Sequence, residues 1–337
     1  MVVSVTPHGA STIEEVAERA GVSRSTVSRV VNGSPAVSEV ARESVRRAID
    51  DLNYVPNRAA RSLASRHTQA IALVVPEDTA RFFGDPFIAS VVSGIQSRLA
   101  RTDYILNVIL ANGDPGDKTT GFLRSGSVDG AIIVSHHDND TFIDRISGAI
   151  PVVYGGRRVR VRESDHVVDS DNVAGGRIAA EHLLGRGRRR VATITGPASM
   201  RSALDRLEGF TAALAEAGLE AVAVEDGDFT EAGGALATRR ILAAGTPDAL
   251  FVASDLMARG ALQVLREAGL AVPGDVAVVG FDDSAVASTT SPTLTTVRQP
   301  SSAQGERLAE VLLELLAGGA PEHSIVMPVD LIVRDST

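Results

Sequence analysis

The chain of 337 residues reads as a small all-α head followed by a two-lobed α/β body built on two doubly wound parallel sheets. Three observations predict this. Residues 12–52 place apolar side chains at helical spacing around a glycine turn. From residue 70 short β-branched runs alternate with helical segments, and near Asp169 that alternation starts afresh. The apolar fraction of 44% is ample for packed cores, and no apolar run approaches the ~18 residues of a membrane span. The opening MVVSVTPHGAS lacks a basic stretch followed by an apolar one, so residues 1–11 are expected as a disordered lead, not a secretory signal, in a cytoplasmic protein. With no cysteine, disulfides, thiolate catalysis and cysteine-held zinc are excluded, and no cofactor is expected.

In the head, Thr12-Ile13-Glu14-Glu15 is a capping box, Ile13, Val16, Ala17 and Ala20 form an apolar stripe, and Gly21 suits a left-handed helix end. Ser23 caps a second helix that Asn32-Gly33 stops, and Ser38 opens a third carrying Ala41, Val45, Ala48, Ile49 and Leu52. Two short helices about a tight turn, closed by a third, make a helix-turn-helix. Its second helix, within residues 22–32, organises the rest. At 100° per residue Val27, Val30 and Val31 share one arc, and Arg24, Ser25, Ser28 and Arg29 the opposite one. The valines hold the helix to a core, while the polar front suits base edges and phosphates in a major groove; taken alone, the same pattern also fits an ordinary surface helix. Charge divides accordingly. Residues 1–67 hold nine Arg against seven Asp and Glu, a balance of +2, and the remainder holds 24 basic and 35 acidic residues, a balance of -11. Beyond Pro56, Asn57 can cap a helix of barely two turns, marginal by itself. Leu63 there either tucks against the next domain or serves as an apolar minor-groove wedge.

These segments carry a resemblance. TIEEVAERAGVSRSTVSRVVNG followed by VSEVARESVRRAIDDLNYVPNRAARSLAS is similar to the DNA-binding head and hinge of the lactose-repressor/galactose-repressor (LacI/GalR-type) family of bacterial transcriptional regulators. The resemblance implies base contacts from Arg24, Ser25 and Arg29, joined by Ser28 on the same helix face. It implies phosphate contacts from Thr12, Ser23, Thr26, Asn32, Tyr54 and Asn57, and a minor-groove pair of Ala60 and Leu63. The head then spans 12–56, a hinge helix and linker 57–69, and an effector-binding core 70–337.

In the body, AIALVV, YILNVIL, GAIIV and PVVY, then VATITG, ALFVAS and VAVVGFDD, are the expected strands, interleaved with helices near 88–99, 175–184, 206–217, 231–242 and 256–268. Ligands of open α/β sheets collect at the carboxyl ends of the strands. There stand Asp255 after LFVAS, Asp282 and Asp283 after VAVVGF, Arg206 at the expected opening of a helix, and Phe82 and Phe83 as an aromatic lid. Carboxylates, a guanidinium and aromatic rings suit a polyol, whose hydroxyls donate and accept. Paired-carboxylate catalysis is disfavoured by the lack of a distinguishing acid/base arrangement or nucleophile, so no enzyme is expected.

GPASMRSALDRLEGF, ASDLMARGAL and VGFDDS…PTLTTVRQP resemble segments of the same family, whose core has the periplasmic sugar-binding-protein fold. The resemblance implies effector-contacting or cleft-organising roles for Arg206, Asp255 and Asp282, with Ser254, Phe281 and Arg298 as second choices; Phe83 joins the effector site as the lid residue. Gly155-Gly156-Arg157 departs from the family, many of whose members place an acidic residue there, so the ligand does not transfer from the best-known ones. The family topology implies lobes at 70–169 with 301–325 and at 170–300 with 326–337, rotating about three crossings. His136-His137-Asp138 is expected as a solvated loop and not a metal cluster, Gly175-Gly176 as a packing pair, and the Arg186–Arg190 cluster as a solvated helix end. The tail reads as one last strand, SIVMPVDLIV, with no leucine heptad behind it, which points to a homodimer.

The implied function is a sequence-specific DNA-binding transcriptional regulator, a repressor of a carbohydrate-uptake or catabolic operon. It would bind a pseudo-palindromic operator on double-stranded DNA as a dimer, under a small effector, a sugar, with no membrane partner. A purine or nucleoside effector is the alternative, and a solute-binding protein a more distant one.

Overall fold

Capping chemistry shapes the first of two units, Met1–Thr68 and Gln69–Thr337, into which the chain divides. The structure, a computed structural model, describes residues 11–31, 33–55, 67–158, 162 and 164–337; Asn32 and the expected hinge residues Asn57, Ala60 and Leu63 lie outside them. Among the described residues three helices build the head: α1 (Ile13–Ala20), α2 (Arg24–Val31) and α3 (Glu39–Asp51). The capping box closes α1. Glu15 N donates to Thr12 Oγ1 at 3.2 Å, and Thr12 N donates to the Glu15 carboxylate at 2.8 Å. Gly21 then takes φ 67°, a left-handed turn that costs a glycine little. Ser23 Oγ accepts from Thr26 N at 3.2 Å and Ser38 Oγ from Ala41 N at 3.3 Å, so the expected second and third starts both form. Val16, Val27 and Val45, one from each helix, meet in a core that also takes Tyr54, with Val30 and Val31 packed partly buried at its margin.

The second unit holds two six-stranded sheets of matching order. β1 (Ala70–Val75), β2 (Ile105–Leu110), β3 (Gly130–Val134), β4 (Val152–Gly155), β5 (His166–Ser170) and β11 (Ser324–Met327) lie in the order β11-β5-β4-β3-β1-β2, all parallel. β6 (Val191–Thr195), β7 (Val224–Asp226), β8 (Ala249–Val252), β9 (Ala277–Asp282), β10 (Thr295–Arg298) and β12 (Asp330–Ile332) repeat it as β12-β10-β9-β8-β6-β7, with β12 alone antiparallel to its neighbour. β1, β3 and β8 are buried along their whole length, as sheets covered on both faces require. α4 (Thr79–Gly84), α5 (Pro86–Leu99), α6 (Lys118–Arg124), α7 (Ile143–Ser147) and α13 (Ser301–Leu316) accompany the first sheet. α8 (Asn172–Gly185), α9 (Arg201–Glu216), α10 (Glu231–Ala244), α11 (Asp255–Glu267) and α12 (Ala285–Thr289) accompany the second. Among the described residues no helix is long and apolar enough to cross a membrane.

Three details depart from the expectation. The tail is two strands, not one: β11 stays in the first sheet through Met327, past the expected boundary at 325/326, and β12 joins the second. Pro328 stands between them and has no N–H to carry a ladder onward. α9 begins at Arg201, so Arg206 sits on its second turn and not at its opening; Met200 provides no side-chain cap that a reader of the sequence could have seen. β5 forms from HVVDS, too short and too charged at its ends to announce itself. The glycine pair packs as expected. A Cβ on Gly176 would stand 2.0 Å from the Arg206 carbonyl oxygen, and one on Gly175 would meet the Phe281 ring at 2.6 Å. Close approach of α8 to α9 therefore fixes the backbone that carries Arg206. The arginine cluster also behaves as a helix end, with Arg189 Nη1 donating to the Leu184 carbonyl at 2.9 Å.

Candidate functional site

Two polar surfaces stand out, one in each unit. On α2, Arg24, Ser25 and Arg29 are exposed and Ser28 is half-buried, on the side away from Val27. The Ser23 hydroxyl lies 2.8 Å from that of Ser25 and 2.9 Å from that of Thr26, a small hydroxyl cluster at the helix start. Arg24 Nε pairs with Glu14 at 3.1 Å, both side chains largely in water. Thr12 spends its hydroxyl on the α1 cap, and Tyr54 is buried in the head core at 9% exposure.

The second surface is a cavity of about 730 Å³, counting its open mouth, between the carboxyl edges of the two sheets. Arg206 lies at its floor, 5% exposed. Its Nε donates to Asn172 Oδ1 at 2.8 Å, its Nη1 donates to the Ala253 carbonyl at 2.6 Å, and Asp282 stands 3.8 Å away. The guanidinium carbon sits 3.6 Å from the centre of the Phe281 ring and 5.6 Å from that of Phe229. Burial pulls the Arg206 pKa down, opposed first by the charge of Asp282. Burial likewise raises Asp282, opposed by Arg206, and Asp282 accepts from Gln299 Nε2 at 2.6 Å. Asp255 lies beneath the floor at 0% exposure. Its carboxylate accepts from Thr296 Oγ1 at 2.6 Å and from Ser284 N at 2.8 Å, holding the loop that carries Asp282; burial pushes its pKa up to about 7 against those bonds.

The first lobe supplies residues that the sequence did not assign to the site. Asp85 caps α5 and faces the cavity beside Phe87, its carboxyl raised by burial. Arg157, just past β4, donates from Nε to Asp169 at 3.2 Å and from Nη2 to Asp205 on α9, so it spans both lobes. His136 is buried with its pKa pushed down to about 4 by desolvation. Its Nε2 lies 3.1 Å from the Gly156 carbonyl, which only accepts, so that nitrogen carries the proton. His137 Nε2 lies 3.1 Å from Glu77, and its Nδ1 lies 2.8 Å from the Ser199 hydroxyl of the other lobe. The His136-His137-Asp138 run is therefore only in part the solvated loop expected of it: Asp138 is exposed, but His136 is buried and His137 half-buried. Strand-end burial and a cross-lobe contact (Asp138 N donates to the Ser199 carbonyl at 2.9 Å) hold it in place, and no metal-binding group forms among the described residues.

Of the sequence-derived candidates, Arg206, Asp282 and Ser254 line the cavity, while Asp255 and Phe281 support it from below. Phe83 is 78% exposed and outside the lining. On short α4 its neighbour Phe82 turns to the core and Arg81 to the cavity, and Phe87 takes the aromatic place. Arg298 points away and pairs with Asp283 at 2.7 Å. Backbone strain gathers at the same place. Asp282 has φ 112° and Phe229 φ 48°, values that side chains larger than glycine rarely hold without tertiary support.

Comparison with known proteins agrees with this architecture. Residues 12–57 match the bacterial regulatory proteins, lacI family, and residues 180–337 match a periplasmic binding protein-like domain. The HTH-type transcriptional regulator CelR of Thermobifida fusca is 44% identical over 96% of this chain and 98% of its own. A solved transcriptional regulator CelR-cellobiose complex superposes with TM-score 0.77 at 41% identity, covering 97% of this chain and all of that one. The lac repressor dimer bound to operator and an anti-inducer superposes with TM-score 0.87 at 30% identity, covering 97% and 99%. The chain belongs to the lacI family of bacterial regulatory proteins and is a DNA-binding transcriptional regulator, with a helix-turn-helix head and a periplasmic-binding-protein-like core.

Proposed function

We propose that this regulator is a repressor that binds a pseudo-palindromic operator as a homodimer, and that a neutral sugar in the inter-lobe cavity sets its affinity. The carrying observation is the bed of the cavity: a buried guanidinium stacked on Phe281, joined through Asn172 to Asp169 and facing Asp282. Fixed donors and acceptors above aromatic faces match a ring bearing several hydroxyls. Asp282 and Asp255 are engaged as structural acceptors, which supports a binding role over catalysis. The solved relative bound to cellobiose makes a β-linked disaccharide the first candidate.

In the head, Arg24, Ser25, Ser28 and Arg29 read bases, and Thr12, Ser23 and Thr26 with Asn32, Tyr54 and Asn57 meet phosphates. Ala60 and Leu63 enter the minor groove. Closing the lobes on the sugar changes the free energy of the DNA-bound state, and a coupling of about 1–3 kcal/mol moves operator affinity roughly five- to a hundredfold. Fluorescence anisotropy on the protein's own upstream DNA, with and without cellobiose, tests this. A shift of that size supports it. No shift with any sugar, and a shift with a purine or nucleoside, would replace the sugar.

A further inference from the structure

The three crossings between the lobes gather at one end of each sheet. The chain crosses from β5 to α8, from β10 to α13 and from β11 to β12, and these four strands are the outer pairs of the two sheet orders. β1 with β2, and β6 with β7, form the opposite ends. Rotation about the crossings moves those far ends most, so contacts made there resist opening with the longest lever.

Away from the crossings the lobes are joined by one side-chain cluster. Glu77, buried two residues past β1, is its centre. Its Oε1 accepts from the Ser135 hydroxyl at 2.8 Å, with His137 Nε2 at 3.1 Å and Arg81 Nε at 3.3 Å. Both of those side chains then reach the other lobe. Arg81 Nη1 donates to Asp228, two residues past β7, at 3.2 Å, and His137 Nδ1 lies 2.8 Å from the Ser199 hydroxyl in the loop after β6. The Asp138 amide adds its 2.9 Å bond to the Ser199 carbonyl. Arg81 also lines the cavity, its guanidinium carbon 6.0 Å from the centre of the Phe229 ring, so the cluster forms part of the cavity wall. Every one of these bonds runs between groups of the protein, so this edge closes without a bridging ligand. Asp228 is 63% exposed and Ser199 half-buried, which lets water replace either partner and the contacts open and reform.

We infer that Glu77, Arg81 and His137 form a latch on the side away from the crossings, holding the lobes together and gating the passage of an effector into the cavity. The latch does not depend on which ligand the cavity takes. A ligand enters when the two arms release Asp228 and Ser199, and it is retained when they close again.

Amide hydrogen exchange of the full-length protein, resolved by NMR at fixed pH without added sugar, tests the latch with Ser199→Ala, Asp228→Asn and the double variant. Both substitutions lie on the second lobe and leave the Glu77 cluster intact. The Asp138 amide reports the cross-lobe bond. The amides of Ala131, bonded to the Pro151 carbonyl, and Ala253, bonded to the Ile194 carbonyl, report each lobe by itself. The double variant is expected to speed exchange at Asp138 at least about fivefold, and each single variant less, with Ala131 and Ala253 within about twofold of wild type. Unchanged exchange at Asp138 in the double variant would overturn the latch. Equal acceleration at all three amides would do the same, since it marks loosening of the whole core. Stopped-flow mixing with cellobiose tests the gate: the double variant should take up and release the sugar at least about threefold faster, with Kd held within about twofold. A change in one rate alone would make these residues ligand contacts and remove the gate. A wild type that binds no cellobiose would sink the sugar reading, and the exchange rates would then decide the latch by themselves.

Discussion

The α2 face and the cleft floor each pair an arginine with a carboxylate, in opposite surroundings. Arg24 and Glu14 meet at 3.1 Å with side chains 70% and 58% exposed, whereas Arg206 and Asp282 stand 3.8 Å apart at 7% and 11%. In water an ion pair contributes about 0–1 kcal/mol, so Arg24 can leave Glu14 for a base edge or phosphate at little cost. In the cleft the charges are already desolvated, and removing one partner strands the other at about 3–5 kcal/mol. A surface that must exchange partners keeps its arginines wet and loosely paired. A site that must hold one geometry buries them and supports them from behind, as Phe281 and Asn172 do for Arg206.

The contrast is broken most severely at the buried end. Arg206→Met removes the cation from among Asp282, Asp169, Asp85 and Asp255, all of which favour its charged form. Urea unfolding should show a loss of about 3–5 kcal/mol, and the sugar binding proposed for the cavity should be abolished. Adding Asp282→Asn should recover part of that stability by removing the stranded carboxylate. A single variant as stable as the wild type would mean that the cleft arginine is no more than a surface charge.

At the wet end Arg24→Ala should leave unfolding untouched and act on recognition alone. Losing a bidentate arginine–base contact relaxes preference at one base pair of each half-site by about 1–3 kcal/mol. Selection from a randomised operator library reads this directly. An unchanged consensus would remove Arg24 from the base-reading set.

The same contrast explains what the sequence made legible. Head residues act on the element that carries them, so a 3.6-residue period and the caps at Thr12, Ser23 and Ser38 suffice to find α2 and its outward face. In the body, alternating strands and helices were visible, as were residues directly following hydrophobic strands, and Asp255 and Asp282 were found that way. Arg157, Asp169 and Asp205 were not, because they become neighbours only when β4, β5 and α9 converge from two lobes. Phe83 shows the converse error of proximity in sequence, since one residue along α4 turns a ring from the core to solvent. His136 and His137 were misjudged because their burial is set by Gly156, Glu77 and Ser199, distant in sequence.

A pairing between these extremes should show in pH dependence. The hydrogen bond and charge of Glu77 raise the His137 pKa, with Asp140 adding to and burial and Arg81 opposing that rise. A histidine raised on folding stabilises fully below its unfolded value of about 6.5, and the contribution fades as pH climbs through the folded value. Wild-type stability followed from pH 5.5 to 8.5 should therefore decline just above about 6.5 relative to His137→Gln. Parallel curves for the two proteins would show that the Glu77 contact is not charge-coupled.

The smallest effect belongs to the loosest pair. On the proposed reading, Glu14→Gln removes the carboxylate that Arg24 would leave on meeting DNA, and a negative charge that would lie near phosphate. Because both partners are exposed, the gain in operator affinity should stay within about 1 kcal/mol, at most about fivefold. It should be greatest at low salt and fall away as ionic strength shortens the Debye length toward about 3 Å at 1 M. The base preference should not change, since Arg24 itself is intact. A gain that persists at high salt would mean that Glu14 acts through the α1 turn and its capping box, and not through the charge it lends to Arg24.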